Sequence, residues 1–216
     1  ADWQNNRQKA EVEVVKKEKD SDCVLEGAVF ALCAKNDITG ADGKVILEAD
    51  TVIEELATDK EGKLTFTADL PIGFEYYIKE TSPAPGFATT DETQEFTFEY
   101  EGAEKEKVSY SFTFEDEPTV IEITKTSLTD GKELEGAKLQ VTNESGKVVD
   151  SWTSGKEAHI IKELVVGQKY TLTETKPADG FVTAESITFT VKDNAEAQTI
   201  DMQDDVSKVE ISKTDI

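Results

Sequence analysis

Six residues of this chain combine chemical type with a spacing that points to reaction between side chains. In EVEVVKK, residues 11–17, Lys16 follows Val12 and Val14 at intervals of two, and Lys125 follows Ile121 and Ile123 in the same way. Glu80 follows Tyr76 and Ile78, and Glu174 follows Tyr170 and Leu172. Asp116 follows Phe112 and Phe114, and Asp204 follows Ile200 and Met202. Strand side chains alternate with period two, so each half of the chain directs one Lys, one Glu and one Asp to a face meant for the core.

A lysine at a strand end can snorkel out to water. The same three residue types at matching places in both halves argue against coincident strand ends. A buried ion trio is also a poor structural choice, because desolvation costs on the order of several kcal/mol per charge. One reaction removes the charges altogether. Burial disfavours every ionised form, so an enclosed amine tends to lose its proton and enclosed carboxyls tend to keep theirs. A neutral amine is a nucleophile and a protonated carboxyl its electrophile. A second carboxyl polarises the carbonyl and shuttles protons as water leaves, and enforced contact replaces concentration. The product is a Lys–Asp isopeptide bond joining the first strand of each half to its last. Asp205 and Glu115 are neighbouring acids that alternation turns the other way, as it turns Lys17 towards solvent.

The elements that must hold these groups are short alternating runs rich in Val, Ile, Thr, Tyr and Phe, such as KLTFTADL, QEFTFEY, VSYSFTFE and SITFTVKD. Turn signals (ADGK, KEGK, APGF, TDGK, ESGK, ADGF) separate them, a pattern of antiparallel sandwich or barrel. ADTVIEELAT alone has helical flavour and reads as a loop or short turn insertion. The runs repeat. Residues 12–32 match 121–141 without a gap and share LEGA; 69–87 match 163–181; 112–126 match 200–214. The expected organisation is a linker over 1–9, one domain over 10–117 with a longer middle, a second over 118–206, and the first strand of a third copy over 207–216. Lys213 falls at the linking position of that third copy and is expected to be unreacted. Junctions of a few residues predict a stiff connection.

Composition narrows the function classes. With 46 acidic against 23 basic side chains the net charge is −23, which opposes binding to a phosphate backbone. No apolar run approaches the roughly eighteen residues of a membrane span. Cys23 and Cys33 are in no metal-ligand spacing and either pair or stay free. His159 is the one histidine, so no Ser–His or Cys–His pair is available. NDITGADGK lacks the spacing of a calcium loop. No cofactor or metal is implied. A glycosidase-like pair of Glu80 and Asp116 is disfavoured, because a Lys shares their inner face in both halves.

The order of a Lys-bearing strand, LEGAVFAL and DLPIGFEYYIKETSPAPGF, repeated as IEITK, LEGAKLQV and YTLTETKPADGF, resembles the CnaB-type (SpaA-like, prealbumin-like) repeats of Gram-positive surface proteins and pilins. The resemblance covers nearly the whole chain. It implies an all-β fold of two tandem Ig-like sandwiches, each with a self-formed isopeptide bond. The family's linking lysine falls on Lys16 and Lys125, its catalytic glutamate on Glu80 and Glu174, and its acyl partner on Asp116 and Asp204. Many members carry Asn as that partner; Asp here implies loss of water instead of ammonia. QDDVSK, at the end of the second copy, lacks the Pro of EDEPTV.

The expected role is a structural stalk module of a bacterial cell-surface adhesin or pilin-like protein, extracellular and wall-anchored through other regions. Its partners are neighbouring repeats, and its only catalysis is single-turnover self-cross-linking. The alternative is a ligand-binding module contacting a host protein or glycan; such a site would show as an exposed aromatic patch, towards which the sequence offers little beyond Trp3 and Trp152.

Overall fold

Alternation in KAEVEVVKKE makes the first described element, β1 (Lys9–Glu18), a strand that buries Ala10, Val12, Val14 and Lys16 on one face. The computed structural model describes residues 8–207, and every regular element among them is a strand. The chain divides into two units, the first ending at Pro118 and the second beginning at Thr119.

Unit one continues with β2 (Val29–Ala34), β3 (Ile38–Thr39), β4 (Val45–Leu47), β5 (Val52–Ala57), β6 (Lys63–Phe66), β7 (Phe74–Ser82), β8 (Thr93–Phe98) and β9 (Lys107–Asp116). They form one sheet in the order β6-β1-β9 and a second in the order β5-β2-β7-β8, with β3 and β4 as a separate hairpin. Period-two faces of both sheets supply the core, in which Phe30, Leu32, Phe66, Tyr76, Ile78, Phe98 and Phe114 are fully buried. Unit two repeats the plan with β10 (Val120–Ser127), β11 (Lys138–Asn143), β12 (Val148–Thr153), β13 (His159–Lys162), β14 (Lys169–Lys176), β15 (Ile187–Thr190) and β16 (Gln198–Asp204). Its sheets run β13-β10-β16 and β12-β11-β14-β15. Its core is less aromatic, built on Ile121, Ile123, Leu139, Val141, Leu172 and Met202. The molecule is all-β, with two tandem sandwiches.

One pairing in each unit differs from the rest. The first and last strands, β1 with β9 and β10 with β16, run parallel, while the other ladders are antiparallel. Parallel neighbours need a long crossover, and here the crossover is the remainder of the unit. The repeated LEGA sequence follows the first strand and is tied to the end of the facing sheet's edge strand. Gly27 N–H donates to Thr58 O (2.9 Å) and Gly136 N–H to Ser154 O (3.0 Å). The Thr58 and Ser154 hydroxyls accept from Ala28 and Ala137 N–H. Both glycines have φ near +90°, which a side chain would strain.

Two expectations are corrected. ADTVIEELAT contains strand β5, paired antiparallel with β2 from Val29↔Ala57 to Cys33↔Val52. Helix propensity is a weak prior, and pairing here satisfies the backbone of β2, whose Phe30 and Leu32 lie in the core. The extra length of unit one is instead the β3–β4 hairpin. Gln8 belongs to the folded unit and not to the linker expected over 1–9. Its amide donates to Lys105 O (2.7 Å) and its oxygen accepts from Glu101 N–H (3.0 Å). The third-copy strand expected over 207–216, with Lys213, lies almost wholly outside the described residues.

Candidate functional site

The parallel ladder sets the geometry of the first cluster. Lys16 is opposite Phe114, and Glu18 opposite Asp116, so Asp116 lies two residues further along the neighbouring strand on the same inward face. In unit two Lys125 is opposite Met202 and Ser127 opposite Asp204, the same offset. Each carboxyl therefore lies diagonally beside its lysine, within reach of a four-carbon stem. The third group comes from the facing sheet. Glu80 on β7 is paired with Phe30, and Glu174 on β14 with Leu139.

The side chains converge as two matching trios. Lys16 Nζ donates to Asp116 Oδ1 and lies 3.0 Å from Glu80 Oε1. Lys125 Nζ donates to Asp204 Oδ1 and lies 3.1 Å from Glu174 Oε1. Neither glutamate Oε1 accepts an aligned hydrogen bond, so these are charge contacts. All six side chains have at most 2% of their surface exposed. Each glutamate is also held from behind. Thr90 N–H donates to Glu80 Oε2 (3.0 Å), and Ala184 N–H donates to Glu174 Oε2 (2.8 Å). These donors follow the Pro–Gly turns, where Phe87 N–H closes on Ala84 O and Phe181 N–H on Ala178 O. The turn reverses the chain so that it passes back over the glutamate ten residues earlier.

Burial drives the titration of this cluster. It pushes Glu80 up to about 7, against the opposing effects of Lys16 and the Thr90 N–H, with Asp116 adding to the rise. Asp204 is raised by burial above all, opposed by Lys125 and reinforced by Glu174. A carboxyl that keeps its proton close to neutrality can both donate to a carbonyl and exchange a proton with a nearby amine. In unit one the Phe30 ring also lies 5.4 Å from Lys16 Nζ and packs on Phe114, with centroids 4.9 Å apart. Leu139 and Met202 hold those places in unit two.

The remaining candidates lie elsewhere. Glu115 is exposed, and Asp205 is half-buried just beyond β16. Lys17 is half-buried, 3.8 Å from Asp22. Cys23 is exposed and Cys33 buried, and both are free. His159 is not a member of its unit's trio; it lies 2.8 Å from Asp150 and is stacked on Trp152 at 4.1 Å. Glu80 and Asp116 enclose the Lys16 amine with no exposed surface, so they present no open carboxylate pair to a sugar ring. Sequence reasoning missed Thr90 and Ala184, because a backbone donor carries no residue-type signature. Their equal offset from the two glutamates was the available signal.

Comparison with known proteins adds the following. The profile of the SpaA prealbumin-like fold domain matches residues 10–112 and 119–206. Among solved structures, the Bacillus anthracis TIE protein is 27% identical, with a TM-score of 0.55 over 92% of this chain and 35% of its own. The chain thus spans about a third of that protein's length. The shaft pilin SpaA of Lactobacillus rhamnosus GG is 17% identical over 94% of this chain and 99% of its own, with a TM-score of 0.40. GBS52, the minor pilin of Streptococcus agalactiae, is 14% identical over 95% and 100%, with a TM-score of 0.39. No curated protein sequence matches.

The raised carboxyl gives a signed pH dependence, testable where no bond can form. In Lys16→Met the amine is replaced by an apolar chain, and the cation that lowers Glu80 is removed, so its folded-state value stays at or above about 7. A group raised on folding contributes stability that is fully present below its unfolded value, near 4.5, and lost as pH rises through the folded value. The urea midpoint of unit one in Lys16→Met should therefore fall between pH 5 and pH 8. A midpoint that is flat or rises over that window contradicts the burial argument.

Proposed function

Because the chain belongs to the SpaA prealbumin-like fold family, we propose that it is a structural stalk module of a bacterial cell-surface adhesin or pilin-like protein. In this reading each unit closes an intramolecular Lys–Asp isopeptide bond on itself. The observation that carries it is the duplicated Lys–Glu–Asp trio, buried at the same place in both units.

The reaction balances within each trio. A proton passes from the lysine ammonium to the aspartate, giving an amine and a carboxylic acid with no net change. The Nζ lone pair attacks Cγ, and the C–N bond forms as the C=O π pair moves onto oxygen. In unit one protonated Glu80 donates a hydrogen bond to that oxygen and relays the amine proton to the departing hydroxyl; Glu174 holds the same place in unit two. The C–O bond breaks, water leaves, and the glutamate is regenerated. Two buried charges become one neutral amide, which removes the desolvation cost that the unreacted trio carries. The bond turns over once per domain and acts on no other molecule.

The mechanical consequence follows from the parallel ladder. Chain tension enters a unit near its first strand and leaves near its last, and the bond joins those two strands directly. The residues between Lys16 and Asp116, 100 apart in sequence, are then shielded from the load. By analogy with a disulfide closing a loop of that size, the link contributes about 4–5 kcal/mol through the unfolded state, and it is not reducible. This suits a cell-surface stalk, exposed to proteases and shear, whose partners are neighbouring repeats.

Proteolysis of the denatured chain should yield two branched peptides, one joining β1 to β9 through Lys16 and Asp116, the other joining β10 to β16 through Lys125 and Asp204. Glu80→Gln should remove the first and spare the second, and Glu174→Gln the reverse. Pulled from its ends, Glu80→Gln should release the residues between Lys16 and Asp116, while the parent chain does not. Recovery of all four segments as linear peptides from the parent would overturn the proposal.

A further inference from the structure

The two units hold the backbone of their reactive lysine by different means. In unit one, Lys16 N–H donates to Gly62 O (2.8 Å), so the ladder between β1 and β6 runs on through the lysine itself. That contact requires glycine. Gly62 has φ +68, and a Cβ there would lie 2.6 Å from Val24 Cβ and 2.7 Å from Lys16 O.

Unit two lacks this arrangement. Val14 faces Leu64 in unit one, and Ile123 faces His159 in unit two, so the place of Gly62 is taken by Glu157. Strand β13 begins only at His159, and its ladder with β10 ends at Ile123. The Lys125 N–H donates instead to Glu133 Oε2, at 3.1 Å. Glu133 occupies the position of Val24, since each lies at the isolated bridge beside its lysine, Lys17↔Val24 and Thr126↔Glu133. The next residue makes the same bond in both units, Leu25 N–H to Lys16 O (3.0 Å) and Leu134 N–H to Lys125 O (2.7 Å). Two positions have therefore changed together: Gly62 with Val24 in one unit, Glu157 with Glu133 in the other.

We propose that Glu133 is a positioning residue for the second cross-link, its carboxylate standing in for the missing strand carbonyl and fixing Lys125 so that its amine meets Asp204. The kinetic part rests on the cross-linking reading above; the hydrogen bond itself does not. Loss of a hydrogen bond to a charged acceptor is large enough to matter: if most of it is felt in the transition state, the rate falls about tenfold or more.

The full chain, prepared unfolded and unreacted, is diluted into folding buffer, and the two branched peptides are quantified over time. Glu133→Ala should slow the Lys125–Asp204 product about tenfold and leave the Lys16–Asp116 product at the parent rate. Glu133→Gln keeps an acceptor oxygen and should restore the second product to within about threefold of the parent. Equal rates in Glu133→Ala and the parent, equal slowing of both products, or a glutamine variant as slow as alanine would overturn the proposal. Amide hydrogen exchange at Lys125 decides it independently. Exchange should be faster in Glu133→Ala and parent-like in Glu133→Gln, even if no water is ever lost and the cross-linking reading fails. An unchanged Lys125 amide in Glu133→Ala would refute the positioning role.

Discussion

The structure depends on the enclosure of a lysine amine where water cannot reach it. An ammonium in such a place costs on the order of several kcal/mol unless charges around it compensate, and each unit supplies two carboxyls from different directions. The aspartate comes from the parallel neighbour on the same sheet, and the glutamate from the sheet across the core. Lys, Asp and Glu therefore meet only when both sheets are formed and packed. A backbone N–H beyond the Pro–Gly turn then fixes the glutamate. The trio reports complete folding of the unit, and a bond made there would lock only a chain that had already reached its native arrangement.

The two units separate what this arrangement requires from what it tolerates. Both keep the first-to-last parallel pairing, the two-residue offset between Lys and Asp, and the N–H behind the glutamate. They differ in the wall around the amine, which is aromatic in unit one, with Phe30 and Phe114, and aliphatic in unit two, with Leu139 and Met202. They differ again in what holds the lysine backbone, Gly62 O or the Glu133 carboxylate. Orientation of the lysine, aspartate and glutamate side chains is the shared property, as the proposed reaction would require if its rate came from enforced proximity.

Much of this was legible in the sequence because strand periodicity and duplication are both written in residue order. Period two assigned Lys16, Glu80 and Asp116 to inward faces, and Lys125, Glu174 and Asp204 repeated the pattern at the same repeat positions. The fold class followed from the same runs. What was not legible depends on contacts between distant segments. ADTVIEELAT carries helix-forming Glu, Leu and Ala, and only the free edge of β2 makes it a strand. Gln8 looked like linker until the 101–105 loop gave its amide partners. Thr90 and Ala184 act through the backbone, which any residue offers, and Glu133 was one acid among 46 acidic residues. Composition gives no sign of a carboxylate that replaces a carbonyl.

The central claim is that each buried trio condenses to an amide, and the mass of the intact, denatured and reduced chain tests it most directly. The account predicts a mass below that of the sequence by two waters, one for each unit. A chain at its full sequence mass would contradict it.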